Sequence, residues 1–255
     1  MNKQLLAERL RAAYRAGPVA PLRDGLEPTD TAGAYAVQAI NTRHWLGQGR
    51  RRVGSKIGLT ATAVQTQLGV DRPDFGVLFA DMAVADGGSL PATLLQPKVE
   101  AEIALVMASD LDDRHATMHD VMAATAFVLP AIEIVDSRIA DWAITFADTV
   151  ADNASSGAFV LGCEPKLLGQ VDLRTCGMVL EVDGAVTSVG AGAACLGHPL
   201  AAAAWLARTL SEFGTPLRAR DIVLTGALGP MTSIRPGAAI RATIGGLGSC
   251  GFGYG

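Results

Sequence analysis

Three glutamates set in two apolar stretches are the residues of this chain best suited to do chemistry. Gln96-Pro97-Lys98-Val99-Glu100-Ala101-Glu102-Ile103-Ala104-Leu105-Val106 and Leu129-Pro130-Ala131-Ile132-Glu133-Ile134-Val135-Asp136 are filled with aliphatic and β-branched residues and read as strands. Both carry carboxylates, which a strand buried on both faces should lack. Side chains along a strand alternate faces, so Glu100 and Glu102 point the same way with Ala101 turned to the other side. Glu133 is a third candidate for that face. Two carboxylates ~4 Å apart repel by roughly 4 kcal/mol at an effective dielectric of about 20, so such a cluster must hold protons, recruit a base or bind a cation. An all-oxygen, anionic set suits Mg2+ or Mn2+, with open positions left for water or substrate. The plainer reading is that each Glu is solvated on the exposed face of an antiparallel strand.

Other candidates lie outside these strands. Lys56 sits between glycines in Val53-Gly54-Ser55-Lys56-Ile57-Gly58-Leu59-Thr60, a strand-like piece whose glycines let another group approach closely. It reads either as a surface lysine or as a buried amine whose pKa burial and a neighbouring cation would push down. Gly69 to Phe79 is dense in turn formers yet carries Phe75 and Phe79 among charges, so it is expected to form a loop that serves as lid or wall of a site, with Asp74 on it. The polar run Asp148-Thr149-Val150-Ala151-Asp152-Asn153-Ala154-Ser155-Ser156-Gly157 reads as a solvent-facing turn. Cys163, Cys176, Cys195 and Cys250 lack the close pairing of a zinc or redox motif and read as small buried hydrophobes. His115 and His119, among Asp112, Asp113 and Asp120, read as solvated.

The elements that must position these residues follow from periodicity. Helices are expected over the first amphipathic segment, with Leu5, Leu6 and Leu10, up to Gly17-Pro18, and from the Thr29-Asp30-Thr31 cap to Gly47. Thr60 is expected to cap a short helix from Ala61 to Leu68, and Val121 to Leu129 reads as an apolar helix broken before Pro130. The second half is mostly β: Phe159 to Gly162, Met178 to Val182 with a hairpin at Asp183-Gly184 into Ala185 to Val189, Asp221 to Leu224, and a strand after Arg235-Pro236-Gly237. Its one long helix is Pro199 to Phe213, with Pro at its start and Gly214 beyond its end. The glycine-rich end from Gly245 to Gly255 precedes no helix, so it is no dinucleotide fingerprint. Without a βαβ rhythm the fold class is α+β, arranged as a helical N-terminal region, residues 1–50, and a mixed-β domain, residues 51–255.

Bulk properties exclude several classes of partner. Hydrophobic residues make up 49% of the 255 and charged ones 18%, ample for a core and unlike a disordered chain. A net charge of −4 suggests neither nucleic acid nor an anionic membrane, which leaves a small molecule. The first residues alternate charge with leucine and hold no signal-peptide core, so a cytoplasmic location is expected.

Taken together, the motifs resemble the 2-hydroxypenta-2,4-dienoate (2-keto-4-pentenoate) hydratases of the fumarylacetoacetate hydrolase superfamily over nearly the full length. The resemblance rests on Ala20-Pro21-Leu22-Arg23-Asp24, Lys56-Ile57-Gly58-Leu59-Thr60, Gln67-Leu68-Gly69-Val70-Asp71 with Pro73-Asp74-Phe75-Gly76, Val99-Glu100-Ala101-Glu102-Ile103-Ala104, Asp148 to Ser155, Cys195-Leu196-Gly197-His198-Pro199-Leu200, and Thr225-Gly226-Ala227-Leu228-Gly229-Pro230-Met231. It implies a mixed β roll with a small helical N-terminal region, and a Mg2+ or Mn2+ ion on Glu100, Glu102 and Glu133. It also implies a homo-oligomer, pentamer or decamer, which can associate with the pathway aldolase or decarboxylase. The activity implied is hydration of 2-hydroxypenta-2,4-dienoate, by way of its 2-keto tautomer, to 4-hydroxy-2-oxopentanoate in meta-cleavage degradation of aromatics. On that reading Lys56 moves protons or holds the carboxylate, Asp74 orients water, and Ser155, Ser156 and Thr225 are substrate-binding candidates. Two alternatives remain at this stage. A 4-oxalocrotonate decarboxylase would share the metal motif but need an extra cation for a second carboxylate. A non-catalytic partner subunit would have no use for three converging carboxylates. The glycine-rich C-terminus departs from the family pattern.

Overall fold

The computed structural model describes residues 2–61, 65–66 and 69–255. Helices α1 (Lys3–Ala16) and α2 (Thr31–Gly47) come first, each started by the side chain of the preceding residue, Asn2 and Asp30, accepting a backbone N–H of the first turn. Strands β1 (Arg52–Gly58), β2 (Asp74–Phe79), β3 (Ala83–Val84), β4 (Ser89–Leu90) and β5 (Pro97–Met107) follow. Then come α3 (Met118–Ala124), β6 (Thr125–Asp136), α4 (Phe146–Ala151), β7 (Ser156–Leu161), β8 (Gly177–Val182) and β9 (Ala185–Ala191). The chain ends through α5 (Pro199–Glu212), β10 (Ile222–Leu224), β11 (Thr232–Ser233), β12 (Ala238–Ile244) and β13 (Gly248–Tyr254). The helix expected from Ala61 to Leu68 falls largely outside the described residues.

Among the described residues the strands make two sheets. One runs β2-β1-β10-β5-β6-β7-β3, with β11 on the end of β5, and the other runs β4-β13-β12-β8-β9. Parallel pairs (β1 with β10, β3 with β7, β13 with β4) mix with antiparallel ones, so the fold is the expected mixed β roll and not a doubly wound sheet. Odd-numbered residues of β5 (Val99, Ala101, Ile103, Leu105) join an apolar cluster that includes Ile240, Ala242 and Ile244 of β12 and helices α1, α2 and α5. Even-numbered residues face the inside of the roll, where Ala104 packs with Leu78, Leu129, Phe159 and Leu224. Thus one end of the interior is filled with apolar side chains and the other is left to Glu100, Glu102 and Glu133.

A side chain closes this roll. Asn153 accepts the Val77 N–H at 2.7 Å and donates to the Val77 carbonyl at 3.0 Å, so its amide takes the place of a strand residue between β2 and the start of β7. Gly76 must lack a side chain there, because a Cβ would stand 2.4 Å from the Asn153 carbonyl oxygen. Asn153, Ala154 and Ser155 all adopt left-handed conformations, with φ of 56°, 51° and 52°. Such residues persist only where their surroundings hold them. Arg138 does so: fully buried, it donates to Asp152 Oδ1 at 2.7 Å, to the Asp152 carbonyl at 2.7 Å and to the Ser156 carbonyl at 2.9 Å.

Several expectations are corrected here. Residues 148–157 are not a solvent-facing turn: they form α4, a left-handed turn and the start of β7, with Asp148, Thr149, Asp152, Ser155 and Ser156 buried. Their polarity is consumed internally, as where Asp148 caps α4 through Thr145 and also accepts the Leu22 N–H at 2.6 Å. Residues 74–79 are a fully buried strand and not part of a loop. The helix expected up to Leu129 stops at Ala124, and β6 runs straight through Pro130. A strand buried on both faces is apolar throughout and mimics a buried helix, and Pro130 is tolerated because it precedes the first rung with β7, Ala131 to Leu161. The glycine-rich end is a strand with Cys250, Phe252 and Tyr254 inward, and Cys163 is exposed, unlike the other three cysteines.

Replacing Asn153 by Ala leaves the Val77 N–H and C=O unpaired in a part-buried seam. The urea midpoint of Asn153→Ala is expected to fall by the equivalent of roughly 1–3 kcal/mol with an unchanged m-value.

Candidate metal and active site

Strand register assembles the acidic cluster. Glu100 of β5 stands directly opposite Glu133 of β6, and Glu102 lies two residues further along the same face. One oxygen from each of the three lies within 4.8 Å of the others. Glu102 and Glu133 are buried, whereas Glu100 keeps partial access to solvent. Glu102 Oε2 accepts the Gly226 N–H at 2.8 Å, which fixes its carboxylate plane. Its Oε1 and the Oε1 of Glu133 have no hydrogen-bond partner among the described residues. Three converging carboxylates, with Glu102 Oε1 left free of any donor and Glu133 Oε1 approached only by an ammonium, fit a divalent cation bound by hard oxygen ligands.

Lys56 reaches the cluster from across the roll. Between β1 and β6 lie β10 and β5, three strand spacings or roughly 14 Å in a flat sheet. Curling brings Lys56 Nζ to 3.1 Å from Glu133 Oε1, an electrostatic approach, with a long hydrogen bond of 3.4 Å to Oε2. The side chain is buried, so the surface reading of this lysine is set aside. Without a bound cation its pKa moves up, whereas the downward shift expected above supposed a neighbouring cation. Burial alone favours the neutral amine, but the charges of Glu133, Asp74, Glu100 and Glu102 together outweigh it and hold the ammonium form.

Asp74, first residue of β2, is buried beside Lys56, and its Oδ1 has no hydrogen-bond partner among the described residues. Burial pushes this carboxyl up to about 6, with Lys56 and the Gly58 backbone pulling it back. Gly58 is the paired residue on β1, and a Cβ there would stand 2.2 Å from Asp74 Oδ1. Burial likewise raises Glu100 to about 7, with Glu133 adding to the rise and Lys56 and Lys98 opposing it. Glu102 is driven well above the usual carboxylate range by burial and by its two glutamate neighbours.

The hydroxyl candidates are placed differently. The Ser155 hydroxyl lies 3.3 Å from that of Thr149, and the Ser156 hydroxyl donates to the Asn153 carbonyl at 2.8 Å. Thr225 donates its proton to the Ile103 carbonyl at 2.9 Å and so anchors the turn that presents Gly226 to Glu102. The close approach allowed by Gly58 was expected from the glycines flanking Lys56, whereas Gly226, Asn153 and Arg138 escaped sequence reasoning because their contributions are a backbone N–H and long-range hydrogen bonds. Lys98 was findable: it shares period two with Glu100 and Glu102.

The fumarylacetoacetate (FAA) hydrolase C-terminal family model matches residues 46–252. The chain is 56% identical over 251 residues to 2-keto-4-pentenoate hydratase 2 of Dechloromonas aromatica (strain RCB), covering 98% of this chain and 96% of that protein. It is 57% identical over 246 residues to the 2-keto-4-pentenoate hydratase of Burkholderia vietnamiensis, with 96% and 94% covered. Among solved structures it superposes with a TM-score of 0.94 on 4-oxalocrotonate decarboxylase from Pseudomonas putida G7, complexed with magnesium and adipate. That pair is 37% identical, with 99% of this chain and 97% of that one covered.

The raised carboxyl groups have a consequence for stability. In chelator-stripped protein the folded state binds more protons than the unfolded state between the ordinary glutamate value of 4.5 and about 7, the value reached by Glu100. Stability therefore falls as pH rises through that window. The melting temperature of stripped protein is expected to drop from pH 5 to pH 7.5 by scanning calorimetry, and Mg2+ or Mn2+ to restore it at the upper end but not the lower.

Proposed function

The chain belongs to the fumarylacetoacetate hydrolase family, and we propose that it is a hydro-lyase that adds water to 2-hydroxypenta-2,4-dienoate by way of its 2-keto tautomer, giving 4-hydroxy-2-oxopentanoate in meta-cleavage degradation of aromatics. The observation that carries this reading is the convergence of Glu100, Glu102 and Glu133 on one side of a buried Lys56 and Asp74. Identity above half over nearly the whole chain to two hydratases supports the reaction. Glu100, Glu102 and Glu133 would hold a divalent metal, for which we infer Mg2+ or Mn2+ from the hard oxygen donors and from the magnesium of the decarboxylase neighbour. When bound, that ion supplies Lewis-acid stabilisation of negative charge on the substrate's 2-oxygen.

The chain's own residues divide the proton chemistry. The dienol must gain a proton at C5 to become the conjugated 2-keto acid, then take water at C4 and a proton at C3. Lys56, kept as an ammonium by its carboxylate neighbours, is our candidate to deliver a proton to a substrate carbon. Asp74, with one oxygen uncommitted, is our candidate to accept a hydrogen bond from the attacking water and orient it. Gly58 leaves the space that this carboxylate occupies. Since Ser155, Ser156 and Thr225 have intramolecular partners, we assign them the support of the site walls. A substrate contact by Ser155 or Ser156 would need its hydroxyl to turn.

A second reading has one observation in its favour. Lys98 supplies an extra cation on the site face, the feature that a 4-oxalocrotonate decarboxylase needs for a second carboxylate, and this chain resembles the solved structure of such a decarboxylase. Higher identity to the hydratases favours hydration. We further infer a homo-oligomer, pentamer or decamer, from the resemblance to the hydratase family. No helix among the described residues is long and apolar enough to cross a membrane.

Metal-dependent loss of the ultraviolet absorbance of 2-hydroxypenta-2,4-dienoate, with formation of 4-hydroxy-2-oxopentanoate, is expected of the protein resupplied with Mg2+ or Mn2+. Glu102→Gln should retain less than about 1% of that rate, and Lys56→Met should lose about 10^2 to 10^4-fold in kcat. Consumption of 4-oxalocrotonate alone, with release of CO2, would replace this reaction by decarboxylation. Sedimentation velocity is expected to give a species larger than a monomer.

A further inference from the structure

The interior of the roll is acidic: Glu100, Glu102, Glu133 and Asp74 face the buried ammonium of Lys56. On the hydration reading, on which this inference rests, the substrate is itself an anion that must enter such a field. Solvent reaches the glutamates through Glu100, since Glu102 and Glu133 are 0% and 1% exposed. Lys98 precedes Glu100 by two residues and lies on the same face of β5. Its ammonium is held 4.4 Å over the ring of Trp142, and Trp142 is fixed in turn by donating Nε1–H to the Gln96 carbonyl at 3.0 Å. Among the described residues Lys98 has no carboxylate partner within ion-pair distance.

A cleft of about 480 Å3 opens beside it, lined by Lys98, Trp142, Arg235, Tyr254 and Gln96 and by no acidic residue. In a chain of net charge −4 this is an unusual surface, with two cations, two aromatic rings and no carboxylate. Its volume suits a small ligand. We propose that this cleft is the entrance to the site, where Lys98, seated on Trp142 and aided by Arg235, captures a small conjugated carboxylate and delivers it past Glu100. Lys98 is thus a capture and specificity residue, whose contribution is made before the chemical step. A cationic mouth raises the local concentration of an anionic substrate and loses this effect as salt screens it. Because the capture strengthens ground state and transition state alike, it acts on KM and not on kcat.

The test is the ionic-strength dependence of dienoate turnover at saturating Mg2+, from about 20 to 500 mM salt, for the wild type, Lys98→Met, Lys98→Glu and Arg235→Met. For the wild type kcat/KM should fall as salt rises. Lys98→Glu should lower kcat/KM about tenfold or more at low salt with kcat within about twofold, and should flatten or invert the salt slope, with Lys98→Met and Arg235→Met between. An unchanged slope in Lys98→Glu, or a loss confined to kcat, would overturn the proposal. Calorimetric binding of oxalate to the Mg2+-loaded protein reads the same entrance without turnover, and its affinity should fall about tenfold in Lys98→Glu. Should the wild type fail to turn over the dienoate while oxalate binding still depends on Lys98, the hydration reading fails and the entrance stands. Equal oxalate affinity in both proteins removes the entrance whatever the reaction.

Discussion

Everything in this molecule answers to an imbalance of charge inside the roll. Glu100, Glu102, Glu133 and Asp74 crowd around the Lys56 ammonium, with Lys98 acting on Glu100 from the solvent side, so among the described residues negative charge is in excess. Removing ions from water is costly, and like charges at close range cannot all persist without a counterion. Among the described residues Asp74 Oδ1 and Glu102 Oε1 have no donor, and Glu133 Oε1 has only the Lys56 ammonium beside it, where a simple structural network would have satisfied them. A site kept unsatisfied in this way fits a divalent cation arriving from outside.

Holding these groups together requires a rigid curved sheet. The interior face is apolar at one end, where Leu78, Ala104, Leu129, Phe159 and Leu224 pack, so the acids at the other end are carried on strands that cannot slip. A one-residue slip of β5 against β6 would send Glu100 and Glu102 into the apolar layer and bring Val99 and Ala101 inside. Closure of the roll is left to the Asn153 amide, with the buried Arg138 and Asp152 pair enforcing the left-handed turn that presents it. Breaking such a buried pair is far more costly than the pair is worth as a source of stability, so its contribution is better described as specifying one conformation.

Legibility of the sequence varied with the range of the interaction involved. Helices α1, α2 and α5 could be read because caps and apolar spacing are local, as could the hairpin at Asp183-Gly184. Reading failed where a segment's environment came from distant residues. Asp148, Asp152, Ser155 and Ser156 look like turn residues, but Leu22, Arg138 and Thr149 consume their hydrogen bonds and allow them to be buried. Asp74 looked like part of a loop, because a strand that opens with Pro73-Asp74 and contains Gly76 has the composition of a turn. Only the β1 ladder and the Asn153 amide make it a strand.

The sequence by itself determined which carboxylates share one strand face. Period two sets Glu100 and Glu102, with Lys98, on one face of β5 whatever the rest of the chain does, because alternation is a property of the extended backbone alone. The lack of a βαβ rhythm likewise excluded a doubly wound sheet. Tertiary structure alone decided that Glu133 stands opposite Glu100, that Lys56 crosses roughly three strand spacings to reach it, and that solvent enters at Glu100. It also set the direction of the Lys56 pKa shift in the metal-free protein. Burial could be guessed from a glycine-rich apolar setting, but the sign depends on how many carboxylates lie within a few ångströms, and that distance is set by the curvature of the sheet.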